Sequence, residues 1–168
     1  MGRLTGKRQG GCLCGALRYE LTGPPRLGID CYCRDCQYIA GGGPAHVLVT
    51  SRSDLRIGRG SVNTYWTEAE GGGRVAREFC PVCGTPLFSY TAKRPDRIGL
   101  KVGSLDDPSD FKPALAIWLA SAQPWHAVDI AVPRFQRLPR VGKYVVGEII
   151  IAGLIKLARI IRPDAAKG

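Results

Sequence analysis

Short runs in which apolar and polar residues alternate recur along the chain up to Pro133. They are rich in β-branched and aromatic residues and are separated by turns rich in glycine and proline, a pattern typical of half-buried strands. The runs are Ala16–Leu21, Ala45–Thr50, Val62–Trp66, Val75–Phe79, Leu87–Tyr90, Ile98–Val102 and Ala114–Leu119. This pattern predicts a mainly β domain with mostly antiparallel strands.

The pattern changes after Pro133. A basic, proline-containing stretch over 134–140 is followed by Val141–Arg162, which has helical periodicity and ends before Pro163. In this predicted helix Glu148, Ala152, Lys156 and Arg159 follow helical spacing, and the three charged residues among them form a narrow polar stripe. Because the rest of its circumference is largely apolar, we expect an amphipathic helix that packs on the domain or in a homodimer. Peripheral contact with an anionic membrane surface is the alternative.

The charge of the chain lies mostly at its two ends. The 168 residues carry a formal net charge of +10, of which residues 1–10 contribute +3 and residues 133–168 contribute +6. A strongly basic protein often binds nucleic acid, but the central part has no basic stripe, so we expect no nucleic-acid partner there. The expected segments are a basic N-terminal arm (1–9), a β domain (10–138) and a basic linker with the C-terminal helix (139–168).

The cellular location follows from the first ten residues and from the cysteine usage. The N-terminal segment has no apolar core of the kind that directs secretion, and no uninterrupted apolar run is long enough to span a bilayer. We therefore expect a cytoplasmic protein, with peripheral membrane contact as the alternative. Clustered thiols in that compartment indicate metal binding or catalysis more often than disulfides.

The seven cysteines fall into three compact motifs. An extended chain directs residues i and i+2 to one face, and a CxxC turn brings two sulfurs to one ion. The outer motifs are Cys12-Leu13-Cys14 and Cys80-Pro81-Val82-Cys83, the second followed by Gly84, which favours a left-handed turn. Two plus two sulfurs would form a closed Cys₄ zinc site of the structural kind.

The middle motif contains Cys31, Cys33 and Cys36. Cys31 and Cys33 would share one face of an extended chain, and Cys36 would fold back one helical turn later. Three ligands with no obvious fourth describe an open, catalytic zinc site, but a second structural site completed by another group is an equal alternative. Spacing alone does not force this division of the seven sulfurs into four and three.

Together these motifs resemble the glutathione-dependent formaldehyde-activating enzyme family, which is grouped with centromere protein V. The resemblance covers roughly residues 8 to 138. It is carried by Gly10–Tyr19, Cys31–Cys36, Phe79–Gly84, Val102–Pro108 and Pro124-Trp125. The three cysteine motifs in this order and at these separations are specific, whereas any one of them alone would be weak.

The resemblance implies a small β fold of tent-like sheets and two zinc ions per chain. It implies structural ligands at Cys12, Cys14, Cys80 and Cys83, and active-site ligands at Cys31, Cys33 and Cys36. It also implies a carbon–sulfur lyase that joins formaldehyde and glutathione into S-hydroxymethylglutathione, so small thiols and aldehydes are the expected substrates. Two positions depart from the family pattern, because members often carry histidine where this chain has Tyr32 and Ala116.

A second hypothesis is a non-catalytic, zinc-stabilised binding module. It would act through its basic ends and its C-terminal helix on nucleic acid, a membrane or a protein partner. For an enzyme, Arg34 and Gln37 are candidate contacts to an acidic substrate, although a solvent-exposed loop charge is the simpler interpretation of Arg34. The remaining candidates are expected to be packing or surface residues (His46 and His126), core residues (Trp118 and Trp125) and a plain turn (41–43).

Overall fold

The computed structural model describes residues 7–139. Its strands are β1 (Arg8–Gly11), β2 (Arg18–Leu21), β3 (Leu27–Cys31), β4 (Ala45–Ser51), β5 (Leu55–Arg59), β6 (Asn63–Glu68), β7 (Arg74–Phe79), β8 (Pro86–Thr91), β9 (Arg94–Lys101) and β10 (Leu115–Ile117). One α-helix, α1 (Arg34–Ile39), lies between β3 and β4 in this part of the chain, and 3₁₀ turns cover Arg52–Asp54, Val102–Ser104 and Leu119–Ser121.

The strands form two open sheets. The smaller sheet has the order β1-β2-β5, and the larger has the order β10-β3-β4-β9-β8-β7-β6. Pairing is antiparallel except between β10 and β3, which run parallel. The mainly β, mostly antiparallel prediction is therefore confirmed, and every predicted run overlaps a strand.

Three strands, β1, β3 and β5, lack a clear sequence signal. In β1 the cause is close packing, because a Cβ atom on Gly10 would lie 2.3 Å from the carbonyl oxygen of Ser104. A position that must be glycine carries no side chain to mark the buried face of the strand. Alternation of side chains therefore could not reveal β1.

One face of the larger sheet packs against the smaller sheet. Leu48 pairs with Leu100, and Leu100 pairs with Phe88, so these three side chains form one row across β4, β9 and β8. The ring of Tyr19 from β2 meets Phe88 edge-on at a centroid distance of 5.1 Å. Leu17 and Leu105 complete this buried core, whose apolar burial stabilises the contact between the sheets.

The opposite face of the larger sheet carries the middle cysteine motif. Cys31 ends β3 and pairs with Ala45 on one side and Ile117 of β10 on the other. Because side chains alternate along β4, Ala45 and Val47 face away from Leu48. A second buried cluster forms here around the cysteines, so β3, its neighbours β4 and β10, and the start of α1 position this motif.

Several expectations concern residues outside the described range. The predicted helix over Val141–Arg162 and residues 1–6 of the expected basic arm belong to this group. Arg8 and Gln9, the last residues of that arm, lie in β1. Over residues 7–139 the structure contains no helix with the length and apolar character needed to cross a membrane.

Candidate functional site

The outer motifs bring their sulfurs together in the four-cysteine cluster, formed by Cys12, Cys14, Cys80 and Cys83. Their Sγ atoms all lie within 4.8 Å of one another, with 3.5 Å between Cys12 and Cys14 and 3.9 Å between Cys14 and Cys80. Tetrahedral zinc with bonds of about 2.3 Å places its sulfurs about 3.8 Å apart. None of the four forms a disulfide. The donor set and its spacing therefore fit a zinc ion.

The first motif reaches this geometry through a turn, and the expectation of an extended strand over Cys12–Cys14 is wrong. β1 ends at Gly11, and the N–H of Gly15 donates to the carbonyl oxygen of Cys12 at 3.0 Å. Gly15 adopts a φ of +73°, which is favourable for glycine and closes the turn. The N–H of Leu17 then donates to Cys12 Sγ at 3.1 Å.

The CxxC motif forms the turn that its sequence predicts. Gly84 has a φ of +73°, and its N–H donates to the carbonyl oxygen of Cys80 at 3.0 Å. Thr85 was not a sequence candidate, yet its hydroxyl lies 3.1 Å from Cys83 Sγ and accepts from the N–H of Leu13 at 3.1 Å. Hydrogen bonds from the hydroxyl and the backbone N–H of Thr85 lower the pKa of Cys83 to about 5. The bond from Leu13 to Thr85 ties the two motifs together.

The middle motif forms the three-cysteine cluster of Cys31, Cys33 and Cys36. All three Sγ atoms lie within 4.8 Å of one another, and those of Cys31 and Cys33 are 3.5 Å apart. Cys33 is extended and caps α1, because its Sγ accepts from the N–H of Cys36 at 3.4 Å. The expected geometry, with two residues in extended chain and the third one turn later, is therefore present.

The three thiols are close enough to control one another's protonation. Hydrogen bonds from Cys31 and Cys33 lower the pKa of Cys36 to about 3, and the charges of Lys101 and Arg77 act in the same direction. Hydrogen bonds to its two neighbours and burial raise the pKa of Cys31. A cluster that holds one thiolate so readily is suited to a cation, which replaces the remaining protons on binding.

Gln37 fixes the loop that carries this cluster. The side chain is buried, and its Nε2 donates to the carbonyl oxygens of Tyr32 and Ser121, both at 2.7 Å. Its Oε1 accepts from the guanidinium of Arg34, which also lies over the ring of Tyr38. Gln37 therefore supports the loop, and the hypothesis that it contacts substrate is wrong. Arg34 is exposed and contacts only neighbouring residues of α1 in these two interactions, which agrees with its interpretation as a solvent-exposed charge.

Two acidic residues near the cluster make contacts to distant parts of the chain. Glu70, in the turn between β6 and β7, accepts from the N–H of Arg34 at 3.1 Å and from the hydroxyl of Ser121 at 2.6 Å. Asp35 forms an ion pair with Arg77 at 3.1 Å. Nothing in the sequence signals these contacts, because each joins residues that lie far apart along the chain.

The two histidines have structural partners. His126 Nδ1 accepts from the N–H of Gln123 at 3.1 Å, so its protonated Nε2 donates to the carbonyl oxygen of Gly42 at 2.8 Å. His46 Nδ1 lies 2.6 Å from Asp30 Oδ1, which raises the pKa of His46. Asp30 and His46 pair with each other across β3 and β4, next to the pair formed by Cys31 and Ala45. Because successive side chains of a strand point to opposite faces, Asp30 and His46 lie on the sheet face opposite the cluster.

Tyr32 and Ala116, the two positions that depart from the family pattern, are both buried. The hydroxyl of Tyr32 donates to the carbonyl oxygen of Ala127 at 3.0 Å, and Ala116 lies in β10.

The two tryptophans that the sequence assigns to the core differ in burial. Trp118 is a core residue beside the three-cysteine cluster, as expected. Trp125 is 73% exposed, so the core interpretation is wrong for that residue.

Comparisons with known proteins agree with the cysteine motifs. The family model described as glutathione-dependent formaldehyde-activating enzyme matches residues 7–121, which include both clusters. A curated protein of Halomonas elongata, provisionally named a glutathione-dependent formaldehyde-activating enzyme, is 28% identical over 102 residues. That match covers 58% of this chain and 65% of the relative. The crystal structure of a Rhodobacter sphaeroides protein is 25% identical in sequence and superimposes with a TM-score of 0.47. The superposition covers 62% of this chain and 91% of the Rhodobacter sphaeroides chain.

Proposed function

This chain belongs to the glutathione-dependent formaldehyde-activating enzyme family, and we propose that it is a carbon–sulfur lyase that forms or cleaves a thiol–aldehyde adduct. Formaldehyde and glutathione, which give S-hydroxymethylglutathione, are its reference substrates. One observation carries the proposal: three sulfurs converge within 4.8 Å of one another on a loop with a buried support. Three protein ligands leave one position of a tetrahedral site for a substrate atom.

The donor atoms determine where zinc would bind. Four thiolates at Cys12, Cys14, Cys80 and Cys83 would complete a closed, structural site. Cys31, Cys33 and Cys36 would hold a second ion with an open position. Zinc bound there would supply Lewis acidity and a position that suits the soft sulfur of a thiol.

The reaction itself is an addition with no change of oxidation state. The thiol sulfur forms a bond to the aldehyde carbon while the C=O double bond becomes a single bond, and the thiol proton ends on that oxygen. The cleavage direction reverses these transfers. An enzyme accelerates such a step by holding sulfur and carbonyl carbon together and by favouring the thiolate.

The residues around the three-cysteine cluster support both tasks. Lys101 and Arg77 place positive charge beside the cysteine sulfurs, which favours an additional thiolate. Gln37 holds the loop through the carbonyl oxygen of Tyr32, and Glu70 holds it through the N–H of Arg34. Because the loop is held in place, little ordering is left to be done when the substrates bind.

Adduct formation can be measured directly by NMR with ¹³C-labelled formaldehyde and glutathione, using exchange between free aldehyde and adduct. We expect an exchange rate that rises in proportion to the concentration of zinc-loaded protein and that falls to the spontaneous rate after chelation. Elemental analysis of the same sample should give two zinc ions per chain. A sample with two zinc ions that does not exceed the spontaneous rate with glutathione, cysteine or 2-mercaptoethanol would contradict the proposal.

A further inference from the structure

A cavity of about 330 Å³ opens on the sheet face that carries the three-cysteine cluster. Its lining residues include Ile39, Tyr65, Arg77, Phe79 and Lys101. Ile39 is the last residue of α1, the helix that contains Cys36. Tyr65 and Arg77 are cross-strand partners on β6 and β7. The cavity therefore reaches from the catalytic loop across the neighbouring strands.

Two cations in this cavity have donors to spare. Within the described part of the chain Arg77 forms one ion pair, to Asp35, which leaves most of its guanidinium N–H groups available. Lys101 has no carboxylate partner among residues 7–139. Glu78, an acidic residue that lines the cavity, forms an ion pair with Arg52 at 2.6 Å. Unpartnered cationic donors in a partly desolvated site favour an anionic ligand.

The walls of the cavity limit the body of that ligand. Tyr65 and Phe79 contribute aromatic rings, and Ile39 adds an aliphatic side chain. The amides of a peptide thiol such as glutathione would find few hydrogen-bond partners on these walls. An aromatic or alkyl body would instead gain from burial, and formaldehyde would leave the cavity empty.

We propose that this cavity binds the aldehyde substrate and selects an apolar aldehyde that carries a carboxylate, held by Lys101 and Arg77. The inference rests on the proposed function, since it identifies the aldehyde of that reaction. Because Lys101 and Arg77 lie beside the cysteine sulfurs, the carboxylate and the carbonyl carbon of the adduct both lie at the cluster end of the cavity, and the apolar body extends along its walls.

Ligand binding tests this inference without any turnover. The probes are 4-methylbenzoate and its uncharged analogue 4-methylbenzamide, titrated by calorimetry into the full-length, zinc-loaded protein. The wild type should bind the carboxylate more tightly than the amide. Lys101→Met should weaken binding of the carboxylate about tenfold, the effect of losing one charge-assisted hydrogen bond, and should leave the amide unchanged. The matched control is Arg94→Met, which removes an exposed cation from the same strand, β9.

A second variant covers the case in which Lys101→Met fails to fold. Ile39→Trp keeps both cations and fills part of the cavity, so it should weaken both probes. Equal binding of the carboxylate and the amide by the wild type, or wild-type binding of the carboxylate by Lys101→Met or Ile39→Trp, would overturn the inference. If the probes bind as expected but 2-formylbenzoate, whose aldehyde is next to its carboxylate, does not react with any thiol, the inference about the cavity is supported and the proposed function is contradicted.

Discussion

The side-chain nitrogen of Gln37 lies 2.7 Å from the backbone carbonyl oxygen of Tyr32, between the first two cysteines of the middle motif. The same nitrogen donates to the carbonyl oxygen of Ser121, after β10. One buried amide therefore joins the cysteine loop to the segment that follows the neighbouring strand. The loop depends on this side chain for its position.

Replacing Gln37 by alanine should reduce the free energy of unfolding by about 2–4 kcal/mol, because two buried carbonyl oxygens lose their donor and a cavity remains. Denaturant unfolding of the zinc-loaded protein measures the change. Gln9→Ala, at an exposed position in β1, serves as the control and should change stability by less than about 0.5 kcal/mol. A Gln37→Ala protein as stable as this control would show that the amide does not support the loop.

Gly10 should not tolerate a side chain. A Cβ atom there would lie 2.3 Å from both the carbonyl oxygen of Ser104 and the hydroxyl of Tyr19. Gly10→Ala should therefore cost about 3 kcal/mol of unfolding free energy. Gly58→Ala is the control, because a Cβ atom at that exposed position in β5 meets nothing within 4 Å. Similar midpoints of denaturation for the two variants would argue against this packing.

The buried phenol of Tyr19 should make the fold sensitive to high pH. Burial raises its pKa to about 12, with a smaller opposing effect from the hydrogen bond to Ser104, while Asp106 raises and Arg18 lowers the value. In the unfolded chain a tyrosine ionises near pH 10. Between these two values the unfolded state loses the proton and the folded state keeps it, so stability falls as pH rises.

The comparison with Tyr19→Phe isolates this effect. Between about pH 9 and about pH 11.5, the wild type should lose about 2 kcal/mol more unfolding free energy than the variant, which has no phenol to ionise. Denaturant unfolding at both pH values gives the difference. Parallel loss of stability in the two proteins would mean that the Tyr19 phenol ionises alike in the folded and unfolded states.

The cysteine clusters could be predicted from the sequence because their geometry is mostly local. Spacing of two or three residues sets which sulfurs share a face, and Gly84 marks the turn at Cys83. The alternating runs likewise revealed strands such as β4 and β7, since each buries one face. Local patterns of this kind need no knowledge of tertiary contacts.

The surroundings of the clusters depend on contacts that span the chain. Glu70 reaches the N–H of Arg34, and Arg77 reaches Asp35, only because the β6–β7 hairpin lies beside α1. The register that places Lys101 on the cluster face is set by pairing with β4, which no local pattern encodes. For the same reason the sequence suggested Gln37 as a substrate contact, whereas the fold buries it.

The central claim is that the three-cysteine cluster performs the reaction while the four-cysteine cluster holds the fold. A pair of serine variants separates the two roles. In Cys33→Ser the hydroxyl oxygen can still accept from the N–H of Cys36 and cap α1, so the fold should remain, although serine is a poor zinc ligand. In Cys83→Ser the site that ties β1–β2 to β7–β8 loses a ligand, so the fold itself should weaken.

The most direct measurement is thiol–aldehyde turnover of Cys33→Ser, taken together with its zinc content and unfolding free energy. We expect turnover to fall about a hundredfold or more, one zinc ion per chain to remain, and stability to stay within about 1 kcal/mol of the wild type, while Cys83→Ser unfolds far more readily. Wild-type turnover by Cys33→Ser, or unfolding of Cys33→Ser as severe as that of Cys83→Ser, would contradict the claim.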